Sequence, residues 1–544
     1  MQSGDKIMKL SLKGIQETAA FEAAGIALPK YDVAAMDEAT KKNPIWVHFG
    51  AGNIFRGYIA ALQDDLLNRG EADRGIIAVE TFDYDIIDMI YRPFDNLTMM
   101  VTLKPDGSTQ NRVIASIAEG VKADSSNAED MARLKEIFTN PSLQMMSFTV
   151  TEKGYALKGI DGNYMPVVVK DIEEGPASAR HAMSIVTAML YERYQAGKYP
   201  IAVVSMDNCS HNGEKLQTSV MAIANEWAAR GFVDEEFLDY LKDEKQVSFP
   251  WSMIDKITPR PAKVVEENLT KLGVEEMAPV VTGRKTFIAP FVNAEGPQYL
   301  VIEDKFPNGR PALEKAGVYL TDRDTVNMVE RMKVTTCLNP LHTALAVYGC
   351  VLGHTSIAGE MKDAELSALV KKIGYEEGMP VVTDPGILSP KAFIDEVIEE
   401  RLPNPFIPDT PQRIATDTSQ KVSVRFGETI KSYMASDELD PKKLTYIPLA
   451  LAGWLRYLLG VDDDLKPFEL SNDPMMDQLK AALAGIEAGN PASYTGQLKP
   501  ILENANIFGV NLYDAGLADK VEALFVEEIA GAGAVRATLK KYLA

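Results

Sequence analysis

Cysteine is nearly absent from this 544-residue chain. Cys209, Cys337 and Cys350 are the only three, odd in number and in no CxxC spacing, so a disulfide framework is excluded and reduced thiols are expected. Histidine is scarce too: five residues, none in HxH or HExxH spacing, leave little from which to build a metal site, and no metal is expected. No apolar run approaches the roughly 18 residues that cross a bilayer, and the N-terminus lacks a continuous apolar signal segment. A cytoplasmic protein without a membrane partner is the expectation. Positive charge is also short, with 56 Lys and Arg against 77 Asp and Glu and a net charge of −21. No basic stripe offers itself to nucleic acid.

What is present is an ordinary globular composition, 46% hydrophobic, on a chain too long for one core. Two to four domains are expected, in a monomer or small homo-oligomer. Ile45-Trp46-Val47-His48-Phe49 reads as a short buried strand, Gly50 and Gly52 follow, and Ile54, Phe55, Tyr58, Ile59, Leu62, Leu66 and Leu67 recur at helical spacing. Such a strand, glycine turn and helix start can receive a pyrophosphate, because glycines admit close approach and the helix N-terminus offers free N–H groups. Gly50, Gly52, Asn53, Ile54, Phe55 and Arg56 are therefore the candidate cofactor-binding turn, with Phe55 where a full dinucleotide fingerprint has its third glycine. The next strand, Ile76-Ile77-Ala78-Val79-Glu80, ends in an acid. A carboxylate there accepts from ribose hydroxyls and repels a 2′-phosphate, so Glu80, with Asp83 as its rival, favours NAD over NADP. Thr149 and Thr151, closing a strand read over 145–151, are expected beside the nicotinamide half.

Strand and helix patterns alternate to about residue 305, with two strands read within 98–121 and a final pair at 286–290 and 298–302. Thereafter only helices are read: 324–332, 340–353, 361–373, 390–402, 411–416, 441–460, 474–488, 496–503 and 516–541. The expected fold class is α/β: a Rossmann-like, mostly parallel sheet domain over 1–318 with an N-terminal extension, then a mainly α-helical substrate and catalytic domain over 319–544.

One stretch is chemically out of keeping with its surroundings. Glu330-Arg331-Met332-Lys333-Val334-Thr335-Thr336-Cys337-Leu338-Asn339-Pro340-Leu341-His342 sets a lysine, an amide and an imidazole in apolar sequence at the start of a helix. Buried polar groups must satisfy one another or meet a polar ligand. A structural network at a helix start and a catalytic cluster are both consistent with the spacing alone.

The stretch resembles the Lys-Asn-His signature of the mannitol dehydrogenase family, the long-chain polyol and uronate dehydrogenases. Further blocks are similar in the same order: Gly50–Arg56, Thr149–Tyr155, Ser205–Asn208, Phe249–Ile257, Asn308–Pro311, Asn404-Pro405 and Asp417–Lys421. Two departures mark this chain. Five residues, not the family's usual four, separate Lys333 from Asn339, and Pro340 stands where glycine is usual, so a different local backbone is expected.

The resemblance implies NAD-dependent hydride transfer at a secondary alcohol without a metal. Lys333 would be the base; a lysine ammonium that ionises near 10.4 in water must fall to roughly 7–8 for that task. Asn208 and Asn339 would donate to the developing alkoxide, His342 would bond the substrate or the lysine, and Asp255 would orient the histidine. Glu330, about one helical turn before Lys333, would relay the proton. Arg413 and Lys421, flanking Asp417–Gln420, would contact the substrate, and an arginine there suits a carboxylate. The blocks Thr149–Tyr155, Ser205–Asn208, Phe249–Ile257 and Glu303–Pro311 look closest to members that interconvert D-mannonate and D-fructuronate, so a sugar acid is the expected substrate. D-tagaturonate reduction and mannitol oxidation are the alternatives within the family; a redox-neutral epimerase that retains NAD, and a non-catalytic sugar sensor, are those outside it.

Overall fold

The computed structural model describes residues 7–544. They form two compact units, the first running to Leu103 and from Ser108 to Asn327, the second comprising Lys104–Gly107 and Met328–Ala544.

The first unit is built on six strands: β1 (Trp46–Phe49), β2 (Ile76–Glu80), β3 (Ile117–Lys122), β4 (Met145–Phe148), β5 (Ile201–Ser205) and β6 (Val247–Ser248). They lie in the order β3-β2-β1-β4-β5-β6, every neighbouring pair parallel. The winding reverses between β1 and β4, and ligands of such sheets collect there, beyond the strand carboxyl ends. Successive side chains of a strand face opposite ways, so Val47, Phe49, Ile77 and Val79 enter one apolar layer while Trp46, Ile76 and Ala78 enter the other. Helices cover both layers. Leu62 and Leu66 of α1 (Ala60–Asn68) join the Trp46 layer; Ile185 and Val186 of α2 (Ala182–Gly197) and Leu216 and Val220 of α3 (Asn212–Ala229) join the Phe49 layer. Burial on both faces explains why these strands read as continuous apolar runs.

Three readings need correction. Residues 98–121 hold parts of three strands, since Thr98–Leu103 and Thr109–Ile114 form a hairpin and β3 belongs to the main sheet. The strand expected at 286–290 is only Phe287–Ile288; Phe291–Glu295 is the longer one, pairing in parallel with Thr98–Leu103 in a second, four-stranded sheet that also takes in Ile26–Ala27. Tyr319–Thr321 pairs in parallel with Tyr299–Glu303, which keeps residues 319–327 in the first unit.

The second unit is helical. Helix α4 (Arg323–Met332) spans the division, and α5 (Asn339–Val351), α6 (Glu428–Ala435), α7 (Tyr446–Tyr457) and α8 (Ala518–Glu528) follow. From Pro340 to Val351 every residue of α5 except His342 is buried. Tyr348 ties α5 to its neighbours, donating to the Leu449 carbonyl and to Glu528 Oε1, both at 2.6 Å. The Glu377 carboxylate accepts from the backbone N–H groups of Thr445, Tyr446 and Ile447 and so fixes the start of α7, later than the expected 441. The helix expected over 516–541 breaks before Gly533, whose φ of 77° is left-handed. Among the described residues no helix is long and apolar enough to cross a membrane.

Candidate active site

Gly50 leaves β1 with φ 112°, and a Cβ built there would lie 2.2 Å from the Thr149 carbonyl oxygen. Only glycine fits. A Cβ at Gly52 would meet nothing within 4 Å, so that glycine faces open space at the start of the helix that continues through Asn53 and Ile54. Bare backbone, open space and a helix start at the switch point of a parallel sheet fit a pyrophosphate.

The expected neighbours of this turn divide into those that face outward and those that brace it. Phe55 is fully buried and stacks on His48 with ring centroids 4.2 Å apart. Arg56 is buried in a wide helical turn, donating to the Ala289 carbonyl and to Asn53 Oδ1; burial lowers its guanidinium to about 10. Both hold the turn from behind. Glu80 is also turned inward, its Oε2 accepting from Ala51 N–H at 3.0 Å and its Oε1 from the N–H groups of Thr81, Phe82 and Asp83. That corrects the expectation of a carboxylate standing open to a ribose: Glu80 clamps the glycine turn to the end of β2. Asp83, its rival, is buried and accepts from the Thr282 hydroxyl at 2.6 Å.

Thr149 and Thr151 are held by residues the sequence did not single out. His48 bonds Ser147 Oγ at 2.6 Å and Thr149 Oγ1 at 2.7 Å, and burial lowers its imidazole to about 3, so it is neutral. Asp207 accepts from Val150 N–H at 3.0 Å, from Thr151 N–H at 2.9 Å and from the Tyr155 hydroxyl. This carboxylate holds Thr151 at φ 65°, a conformation unusual for a branched residue. Asn212 donates to the carbonyls of Ser205 and Asp207 and to Ser252 Oγ, and accepts from Ser252 N–H. It thereby locks the end of β5, where exposed Asn208 stands, to the strand Ser252–Asp255, whose last residue is buried. The signal for Asp207 was its adjacency to Asn208; nothing local distinguished His48 or Asn212.

In the second unit Lys333 is buried, 5% exposed, and opens a π-helical turn over Lys333–Cys337. Leu338 N–H closes it on the Lys333 carbonyl at 3.0 Å. An added residue in a helix is commonly taken up in this way, at functional sites especially, and here the turn accommodates the fifth residue before Asn339. Asn339 and His342, both half-buried, sit in the first turn of α5 with Pro340 between them. The Asn339 side-chain oxygen is buried and has no hydrogen-bond partner among the described residues. An orphaned buried amide costs about 1–3 kcal/mol and suits a ligand hydroxyl. Glu330 is half-buried one turn before Lys333. Cys337 is fully buried, which pushes its thiol up to about 12.

The two expected substrate cations differ. Arg413 grips Asp409 with Nε and Nη2, each at 2.6 Å, on the surface. Asp409 thus occupies the Nε–Nη2 edge of this guanidinium. Lys421 is half-buried and donates to the Ile414 carbonyl at 3.3 Å; burial and then nearby Arg425 lower its ammonium.

Comparison with known proteins gives a consistent picture. The model of the mannitol dehydrogenase Rossmann domain matches residues 44–315 and that of the mannitol dehydrogenase C-terminal domain residues 325–527. A D-mannonate oxidoreductase of Thermotoga maritima is 54% identical over 98% of this chain and 99% of its own length. A mannitol 2-dehydrogenase of Cereibacter sphaeroides is 30% identical over 82% and 86% of the two chains. Among solved structures, the Pseudomonas fluorescens mannitol 2-dehydrogenase in ternary complex with NAD and D-mannitol aligns with TM-score 0.68 and 26% identity, covering 98% of this chain and 99% of that one. A substrate-free D-sorbitol dehydrogenase, at TM-score 0.76 and 23% identity over 98% and 100% of the chains, shares the fold.

Proposed function

The chain belongs to the mannitol dehydrogenase family, and we propose that within it the protein interconverts D-mannonate and D-fructuronate with NAD as its cofactor. The observation that carries the choice of substrate is the 54% identity, along 98% of this chain, to a protein named for D-mannonate. Relatives named for mannitol stand near 30%.

The residues' parts follow from the family resemblance, and their settings support some of them. NAD, when bound, takes up or returns the hydride of the carbinol carbon; Gly50, Gly52, Asn53 and Ile54 would hold its pyrophosphate. Lys333, buried in its π turn, takes the hydroxyl proton on oxidation and gives it back on reduction. Asn339, through its side-chain NH2, and Asn208, at the end of β5, donate to the substrate oxygen as negative charge builds on it, while the unpartnered Asn339 Oδ1 accepts from a substrate hydroxyl. Donors of this kind are each worth about 3 kcal/mol in a transition state. His342 fixes a neighbouring hydroxyl, Asp255 supports that orientation, Glu330 passes the proton toward solvent, and Lys421 attracts the acid end of the substrate. Three free thiols suit a reducing cytoplasm.

The test is loss of NADH absorbance with purified protein and D-fructuronate, D-tagaturonate or D-fructose offered separately. Rapid loss with D-fructuronate alone supports the reading. Loss with D-fructose alone makes the enzyme a polyol dehydrogenase.

A further inference from the structure

We propose that Arg425 grips the carboxylate of the substrate, the task that the sequence pattern gives to Arg413; this rests on the reading of the substrate as a sugar acid. Arg413 has both arms of its fork on Asp409. A carboxylate arriving at Arg413 would find that edge taken and be left with the Nη1 side of the guanidinium.

Among the described residues Arg425 has no such partner. It lies four residues after Lys421 on the same helical face, with its N–H bonded to the Lys421 carbonyl at 3.0 Å. Its Nη1 donates to Thr343 Oγ1 at 2.7 Å, and Thr343 follows His342 in the first turn of α5. The guanidinium is thus fastened beside the Asn339–His342 turn by a single hydroxyl. That leaves the Nε–Nη2 edge, the edge that takes a carboxylate in two parallel bonds. Arg425 is only half-buried, and among the described residues Thr343 is the side-chain partner of its guanidinium.

Arg425 and Lys421 form a half-buried cationic pair. Among the described residues no acid is within ion-pair distance of either. Asp417 and Asp473 act on Lys421 only through space, and the Asp473 carboxylate is engaged by Ser419 and by Met475 N–H. Burial lowers Arg425 to about 10. Two like charges withdrawn from water without an acid are costly, and a bound anion offsets that cost. Arg413 at the surface meets no such demand.

The full-length enzyme is compared as wild type, Arg425→Gln, Arg425→Lys and Arg413→Gln. Two readouts are taken: turnover of D-fructuronate, and binding of D-gluconate and of neutral D-sorbitol to the NADH-loaded protein by nucleotide fluorescence. Expected for Arg425→Gln is a KM raised about 30-fold or more with kcat changed less than about fivefold. Its D-gluconate affinity should fall by a similar factor while D-sorbitol affinity holds, Arg425→Lys should recover part of both, and the KM rise should exceed that of Arg413→Gln at least tenfold. Unchanged KM and D-gluconate binding, or equal losses for D-gluconate and D-sorbitol in a folded Arg425→Gln or Arg425→Lys protein, would overturn the assignment. If Arg425→Gln fails to fold, Arg425→Lys decides by the same two ratios. Failure of the wild type to turn over D-fructuronate, with D-gluconate binding that still depends on Arg425, would refute the proposed reaction and leave the anion site standing.

Discussion

Leu338 N–H donates to the carbonyl of Lys333, five residues back, at 3.0 Å. This bond makes the segment a π turn, and it gives the added residue before Asn339 a place without displacing the buried lysine. Removing one residue from the turn should collapse it to ordinary α-helix with the flanking segments in phase. Deletion of Val334, half-buried in the turn, is therefore expected to leave a folded enzyme with kcat/KM within about tenfold of wild type. Loss of all turnover in a folded deletion variant would contradict this.

Lys333→Ala should lower kcat by at least about 10³-fold, the scale of a general base removed from the reacting proton. The NADH dissociation constant, measured by fluorescence, should stay within about twofold. Turnover that survives would move the base elsewhere.

Asn339→Ala removes an amide whose oxygen has no partner in the free protein. It should cost the fold little and kcat about 10²-fold or more. A melting temperature lowered by many degrees with kcat intact would make Asn339 structural.

Gly50 and Gly52 should respond differently to alanine. At Gly50 the new Cβ would overlap the Thr149 carbonyl oxygen at 2.2 Å, so Gly50→Ala should destabilise the protein. At Gly52 the Cβ meets no protein atom within 4 Å, so Gly52→Ala should melt normally yet bind NADH at least about tenfold more weakly if the pyrophosphate lies there. Unaltered NADH binding in Gly52→Ala would move the pyrophosphate away.

Glu360 is fully buried, neither of its oxygens has a partner among the described residues, and burial pushes its carboxyl up from the usual 4.5 to about 9. The folded chain keeps a proton here that the unfolded chain loses above pH 4.5. Its titration therefore adds no cost below that pH and erodes stability as pH rises, by up to about 1.4 kcal/mol per pH unit until the folded group ionises near 9. Glu360→Gln should stabilise the protein, more at pH 8 than at pH 5, read as melting temperature at both. An equal shift at the two values would show that Glu360 does not titrate differently on folding.

The sequence made the parallel sheet legible because its strands are buried on both faces and its glycine turn needs bare backbone. The helical unit was legible from spacing, but its helix ends were not. Glu377 capping α7 from about 70 residues away and the break before Gly533 leave no local pattern. Lys333, Asn339 and His342 were visible as polar residues in an apolar run. The inward turn of Glu80 was not, because a strand-end acid is written identically whether it faces a ribose or four backbone amides. The surroundings of the cations were legible unevenly: Asp409, four residues before Arg413, is a partner in plain view, while the tie from Arg425 to Thr343 joins positions 82 residues apart.

The most direct measurement follows hydrogen itself. The enzyme is given D-fructuronate and NADH carrying deuterium at both positions of its reactive carbon, and the product is analysed by mass spectrometry beside the loss of NADH. Expected is D-mannonate one mass unit heavier, formed in step with NADH consumed. An isomeric product without deuterium, formed while NADH is unchanged, would contradict net hydride transfer and make the protein a redox-neutral epimerase.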